Sequence, residues 1–105
     1  MTVIGTRPNL VKISQFERVF SQYETQFSHQ FLHTNQHYDD TLSSVFLEQF
    51  GVQNLDFLEH TYTKNPAEQI GLIMIGLQAY FHDYQPDLVI AVGDVNSGLA
   101  AAVVA

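Results

Sequence analysis

Arg7 and Lys12 are two of only four Lys or Arg residues in a chain of 105, and both follow a β-branched run that passes through Gly5. Pro8 suits the first turn of a helix, where its missing N–H is not needed. An arginine beside such a start can donate a forked pair of hydrogen bonds to a phosphate, helped by the helix N–H groups and dipole. Lys12, about one helical turn further on, adds a point charge. The plainer alternative makes both of them solvated residues of a helix start, although the dipole disfavours cations there. Gly5-Thr6-Arg7-Pro8 has one glycine where a dinucleotide fingerprint has three, and it lacks the G-K-[ST] ending of a P-loop.

Two further clusters can take part in chemistry. Asp94, in Gly93-Asp94-Val95-Asn96-Ser97, can act as an acid or base or bind sugar hydroxyls, or it can simply cap the next helix. Gln36 and His37 sit in the polar stretch Thr34 to His37, and imidazole titrates close enough to neutrality to carry protons or bind phosphate. His33 and His37 straddle a predicted strand end, so they do not form a metal face, and no H-E-x-x-H pattern occurs. No metal is expected. His29, His60 and His82 have no companions and read as surface or satisfied structural residues. Tyr38, Tyr62, Tyr80 and the phenylalanines read as packing, and Asp39-Asp40 as a solvated loop or cap.

The elements that must hold these residues alternate. Val3-Ile4 ends a short buried strand, and Leu10, Val11, Phe16, Val19 and Phe20 recur at helical spacing after Pro8. Phe31 to Thr34 reads as a second strand, Leu42 to Phe50 as a helix stopped by Gly51, and Leu55 to Leu58 as a short strand or loop. Pro66 opens a helix whose stripe is Ile70, Ile73, Met74, Leu77 and Phe81, broken by Pro86-Asp87. Leu88 to Val92 is the strongest strand, of the continuous apolar kind that suits a parallel sheet covered on both faces. Gly93 to Ser97 then turns into a small-residue helix from Gly98 to Ala105. The pattern predicts an α/β fold, a Rossmann-like doubly wound parallel sheet. In such sheets ligands bind outside the carboxyl ends of the strands, which brings Arg7, the Thr34 to His37 stretch and Asp94 to one rim.

Composition bounds the partners. A net charge of −7 lacks the basic footprint of a nucleic-acid binder, yet leaves room for a small anion at a local positive field. No run of about 18 apolar residues occurs, so no membrane partner is expected. The absence of cysteine and of a signal-like start makes a cytoplasmic protein the default. The start only two residues before Val3, and a final apolar helix with no polar cap and nothing yet to pack against, mark residues 1–105 as an incomplete N-terminal domain.

Together, Gly5-Thr6-Arg7-Pro8 with Lys12, Gln36-His37, Pro86-Asp87 and Gly93-Asp94-Val95-Asn96-Ser97 resemble the non-hydrolysing UDP-N-acetylglucosamine 2-epimerases, in order and spacing from about Val3 to Ala105. The resemblance implies part of the N-terminal Rossmann-like domain of a glycosyltransferase-B type enzyme. Its partner domain, which binds the nucleotide, would lie beyond Ala105. It implies interconversion of UDP-N-acetylglucosamine and UDP-N-acetylmannosamine by elimination of UDP, through a 2-acetamidoglucal, and re-addition with inversion at C2. The resemblance implies a place in cell-surface polysaccharide biosynthesis. No cofactor is implied. Arg7 and Lys12 would be substrate-binding residues near the diphosphate and Asp94 a catalytic carboxylate, while Gln36 and His37 would contact a second, regulatory substrate molecule. The resemblance allows a homodimer of the full-length parent.

Where many members carry a threonine-rich run after Gly-Asp, this chain has Val95-Asn96-Ser97, which keeps hydroxyl and amide groups. The family's downstream His-Val-Glu-Ala-Gly segment, further glutamates and catalytic histidine lie beyond Ala105. One carboxylate and two cations do not supply both proton transfers and hold the leaving nucleotide, so the chain alone is expected to be inactive. Three other readings remain at this point: half of a sugar-nucleotide transferase, a non-catalytic module for an anionic sugar or nucleotide, and a purely structural fragment with no ligand.

Overall fold

In the computed structural model, which describes residues 1–5, 12–34, 55–61, 63–92 and 96–105, four short strands form one parallel sheet. They are β1 (Thr2–Ile4), β2 (Phe31–His33), β3 (Leu55–Phe57) and β4 (Ile90–Ala91), in the spatial order β3-β2-β1-β4. Thr2 pairs with Phe31 and Ile90, and Phe31 pairs with Leu55, so the strands start nearly level. The order turns back at β1: the chain builds outward through β2 and β3, then returns to lay β4 on the other side of β1. That reversal is the switch point at which open α/β sheets bind ligands.

Side chains alternate across the pleat. Val3 and Leu32 face a cluster with Leu58, Ile73, Leu77, Ala100 and Ala101, whereas Ile4 and Phe31 face Ile13, with Phe16, Leu55 and Val92 packed around them. The first face is covered by α2 (Pro66–Tyr84) and α3 (Asn96–Val104), and the second by Ile13 and the short α1 (Phe16–Ser21). Helices on both faces make the fold the doubly wound, Rossmann-like α/β class that the alternation of elements predicts.

α2 is the best-defined element. Asn65 caps it by accepting from the N–H groups of Ala67 (3.0 Å) and Glu68 (3.3 Å), Pro66 occupies its first turn, and Gln85 ends it in the left-handed region at φ 54°. Its predicted stripe is seen in Ile73 and Leu77, both fully buried. Burying each contributes roughly 1.5–3 kcal/mol. α3 buries Ser97, Ala100 and Ala101, whose spacing puts them on one side and whose size lets the helix lie close against α2 and β1. The expectation that this last helix has nothing to pack against is therefore corrected on that side.

Other expectations shift for physical reasons. The helix predicted to run on through Phe20 is interrupted: Lys12 is helical, 13–15 form a turn, and α1 has six residues with none buried and Val19 48% exposed. The continuous strand Leu88 to Val92 shrinks to two residues, with Leu88 69% exposed. Among the described strands β4 pairs with β1. α3 starts at Asn96, not Gly98, which moves Asn96 and Ser97 from turn to helix. The helix predicted from Leu42 to Phe50 lies outside the described residues.

Candidate functional site

The carboxyl ends of β1 and β4 are neighbours, with Val3 opposite Ala91. In sequence, β1 runs through Ile4 and Gly5 towards Arg7, and β4 runs through Val92 towards Asp94. The two stretches that carry the predicted cation and carboxylate thus leave adjacent strands at the switch point. Arg7, Gln36, His37 and Asp94 themselves lie outside the described residues, as do Tyr38, Asp39, Asp40 and Tyr62. Lys12 is described: it is exposed, on a helical backbone, one residue before the fully buried Ile13. Its ammonium is open to solvent while its chain position is anchored by the core.

Beneath this edge lies a buried polar network. The Thr34 N–H, one residue past β2, donates to the Ile4 carbonyl at 2.9 Å and so carries the ladder to the rim. Its hydroxyl meets the Ser97 hydroxyl at 2.6 Å, joining the end of β2 to the first turn of α3. Thr61, shortly after β3, donates its hydroxyl to the Thr34 carbonyl. The Gln69 amide, on α2, reaches the Thr61 carbonyl at 3.5 Å and accepts from the Asn96 side chain at 3.2 Å. Thr34, Thr61, Ser97 and Gln69 are all buried. Buried polar groups are costly unless bonded, so this set ties four elements into one arrangement.

That placement corrects one reading. Thr34 and Ser97 stand in clusters predicted to present polar groups at the rim, yet both hydroxyls are buried and bonded to each other. Thr61 and Gln69 were missed because an amphipathic count skips polar residues. The signal was present: Gln69, Ile73 and Leu77 are spaced by four, so Gln69 continues the buried face by one turn.

His33, at the carboxyl end of β2, is 2% exposed with its ring tilted against Phe57 at 5.4 Å. Among the described residues no group of three His, Asp or Glu is placed to hold a metal ion. None of the described helices is long and apolar enough to cross a membrane.

The remaining histidines divide. His60 is 93% exposed on its side chain and sits 3.9 Å from Glu59, and His82 is exposed on α2. His29 departs from the reading of a satisfied structural residue. It lies at the opposite, amino edge of the sheet, stacked on Phe20 at 4.0 Å and edge-on to Phe31 at 4.4 Å. Its Nε2 is 2.7 Å from the Thr2 hydroxyl, but its buried Nδ1 has no hydrogen-bond partner. Burial pushes its pKa down to about 4. Tyr80 packs at the edge of the core, as predicted, and donates to Asp56. Burial, with that bond, raises its pKa well above the usual phenol value.

Known proteins are similar to this chain in sequence and fold. The model of the UDP-N-acetylglucosamine 2-epimerase family matches residues 21–105. A UDP-N-acetylglucosamine 2-epimerase of Methanocaldococcus jannaschii is 31% identical over 103 residues, covering 98% of this chain and 28% of that protein. A UDP-2,3-diacetamido-2,3-dideoxy-D-glucuronate 2-epimerase of Pseudomonas aeruginosa is 30% identical over 105 residues, covering 100% of this chain and 29% of that protein. The crystal structure of the M. jannaschii enzyme in complex with UDP-GlcNAc and UDP superposes with a TM-score of 0.87 at 30% identity, over 98% of this chain and 28% of the other. The chain thus spans somewhat over a quarter of the length of these relatives. With the parallel sheet, its switch point and the family match over most of its residues, the chain belongs to the UDP-N-acetylglucosamine 2-epimerase family.

Proposed function

We propose that this chain is the N-terminal Rossmann-like portion of a UDP-N-acetylglucosamine 2-epimerase and forms one side of its UDP-sugar site. The observation that carries the reading is the adjacency of β1 and β4 at the switch point, with Arg7 and Asp94 on the stretches that follow them. Arg7 and Lys12 hold the diphosphate, whose charge leaves with UDP when the C1–O bond breaks. A forked guanidinium suits that leaving group, because it matches phosphate geometry and stays charged throughout. Asp94 is the carboxylate that moves or stabilises a proton at the reacting sugar. Gln36 and His37 contact a second substrate molecule that regulates turnover. No cofactor takes part, the reaction is elimination and re-addition of UDP, and the complete enzyme works in the cytoplasm as a homodimer.

These groups account for one side of a site only. A C2 epimerisation needs proton transfer on both faces of the sugar as well as a held leaving group, so residues 1–105 alone bind UDP without turning over substrate. A second reading of the sugar is favoured by the P. aeruginosa relative, whose substrate is a diacetamido-glucuronate. The same loss of UDP from C1, with loss of the C2 proton and inversion at C2 on re-addition, then acts on a different UDP-2-acetamido sugar.

Titration of the ¹⁵N-labelled chain with UDP and UDP-N-acetylglucosamine tests the reading. Saturable shifts are expected, weakened about tenfold by Arg7→Ala, the loss of a charged hydrogen-bonding partner. Binding persists in Asp94→Asn, and no UDP-N-acetylmannosamine accumulates. Unchanged affinity in Arg7→Ala would remove Arg7 from the site, and epimerisation by the chain itself would contradict the division of labour.

A further inference from the structure

Gln69 is a long polar side chain on the face of α2 that packs against the sheet, one turn before Ile73 and two before Leu77, and it is 5% exposed. An apolar residue there would continue the stripe. A buried primary amide is costly at such a place unless its hydrogen bonds are made. Its oxygen accepts from Asn96 at 3.2 Å, and its nitrogen reaches the Thr61 carbonyl at 3.5 Å. Thr61 in turn donates to the Thr34 carbonyl, and Thr34 holds Ser97. Asn96 and Ser97 are thus gripped from two sides, by α2 through Gln69 and by β2 through Thr34. They begin α3, and Asp94 is two residues upstream of Asn96 in the chain.

We propose that Gln69 is a positioning residue of the UDP-sugar site. It fixes the residues that anchor the stretch carrying Asp94, and through Thr61 it couples them to the stretch that leaves β2 towards Gln36 and His37. This rests on the function proposed above, since it concerns the same site. Gln69 touches no substrate. It acts through Asn96, and a misplacement of the anchor by a fraction of an ångström is enough to weaken a preorganised site.

The test compares three variants of the 105-residue chain, with UDP as the probe. Gln69→Leu keeps the volume and removes the bonds to Thr61 and Asn96. Asn96→Ala breaks the same contact from the half-exposed side, and so reports even if Gln69→Leu fails to fold. Ile73→Val trims the same stripe one turn later without touching a hydrogen bond. In Gln69→Leu and Asn96→Ala, backbone order parameters at Asn96 and Ser97 are expected to fall from about 0.85 towards 0.6, the range of flexible backbone. The affinity for UDP is expected to fall about fivefold to tenfold, as for a lost buried hydrogen bond. Ile73→Val should lower the melting temperature and leave both readouts within about twofold, as a methylene trimmed from a stripe makes no bond to the site. Unchanged order at Asn96 and Ser97 in both bond-breaking variants overturns the proposal, as does equal loosening by Ile73→Val. A wild-type chain that takes up no UDP refutes the proposed function instead, and the order parameters alone then decide the role of Gln69.

Discussion

The two edges of the sheet handle buried polarity in opposite ways. At the carboxyl edge Thr34, Ser97, Thr61, Gln69 and Asn96 bond to one another across four elements. At the amino edge the His29 ring is held mainly by the rings of Phe20 and Phe31, with one hydrogen bond to Thr2 and a buried Nδ1 left over. Hydrogen bonds fix direction as well as distance, whereas ring stacking tolerates sliding and favours the neutral imidazole. The difference teaches which edge is built to hold a geometry. The bonded edge is the one whose strands lead to Arg7 and Asp94.

The comparison breaks most readily at Thr34. Thr34→Val keeps the shape and removes the 2.6 Å bond to Ser97, and should cost about 1–3 kcal/mol in urea denaturation. Adding Ser97→Ala should cost less than the separate losses predict, because both changes remove the same bond. Full additivity would mean that the two hydroxyls do not act together.

The amino edge should announce itself through pH. An unfolded chain binds the His29 proton near pH 6.5, the folded chain only near about 4. Between those values the unfolded state carries more protons, so stability must fall as pH is lowered and be regained above pH 6.5. Urea midpoints at pH 7.5 and 5 should differ in that direction, and His29→Gln should reduce the difference. A His29→Gln chain with the full acid sensitivity would place its origin elsewhere.

The smallest expected effect lies between the edges, on α2. Gly71→Ala should stabilise by about 0.5–1 kcal/mol, since a Cβ there meets nothing within 4 Å and alanine is the better helix former. At Gly76 the new Cβ would stand 3.2 Å from Leu58 Cδ1, so the gain from Gly76→Ala should be smaller or reversed. Melting temperatures of the two variants, compared with those of the edge variants, separate helix propensity from hydrogen bonding.

Much of this was legible in the residues themselves. Alternation of strand and helix, the Pro66 start and the Ile73–Leu77 stripe carried the fold class, because burial on both faces of a parallel sheet leaves a strong apolar pattern. The pattern is silent about strand order, so Leu88 to Val92 gave no sign that β4 pairs with β1. Nor does periodicity see a turn: the break at 13–15 sits inside a spacing that still reads as helical. At the candidate site the sequence marked the polar clusters after the strands, with Asn96 and Ser97 read as part of the turn after Gly93. Thr61 and Gln69 were not marked, since a polar residue on a buried face is visible only once its partners from distant elements are brought to it.

The central claim is that the bonded, carboxyl edge receives the UDP moiety. Mapping the amide shifts of the ¹⁵N-labelled chain on saturation with UDP tests it most directly. The account predicts the largest changes around Ile4–Gly5, Val92 and Asn96–Ser97, with Ser28 and His29 unmoved. Shifts centred on the His29 edge, or none at either edge, would contradict it.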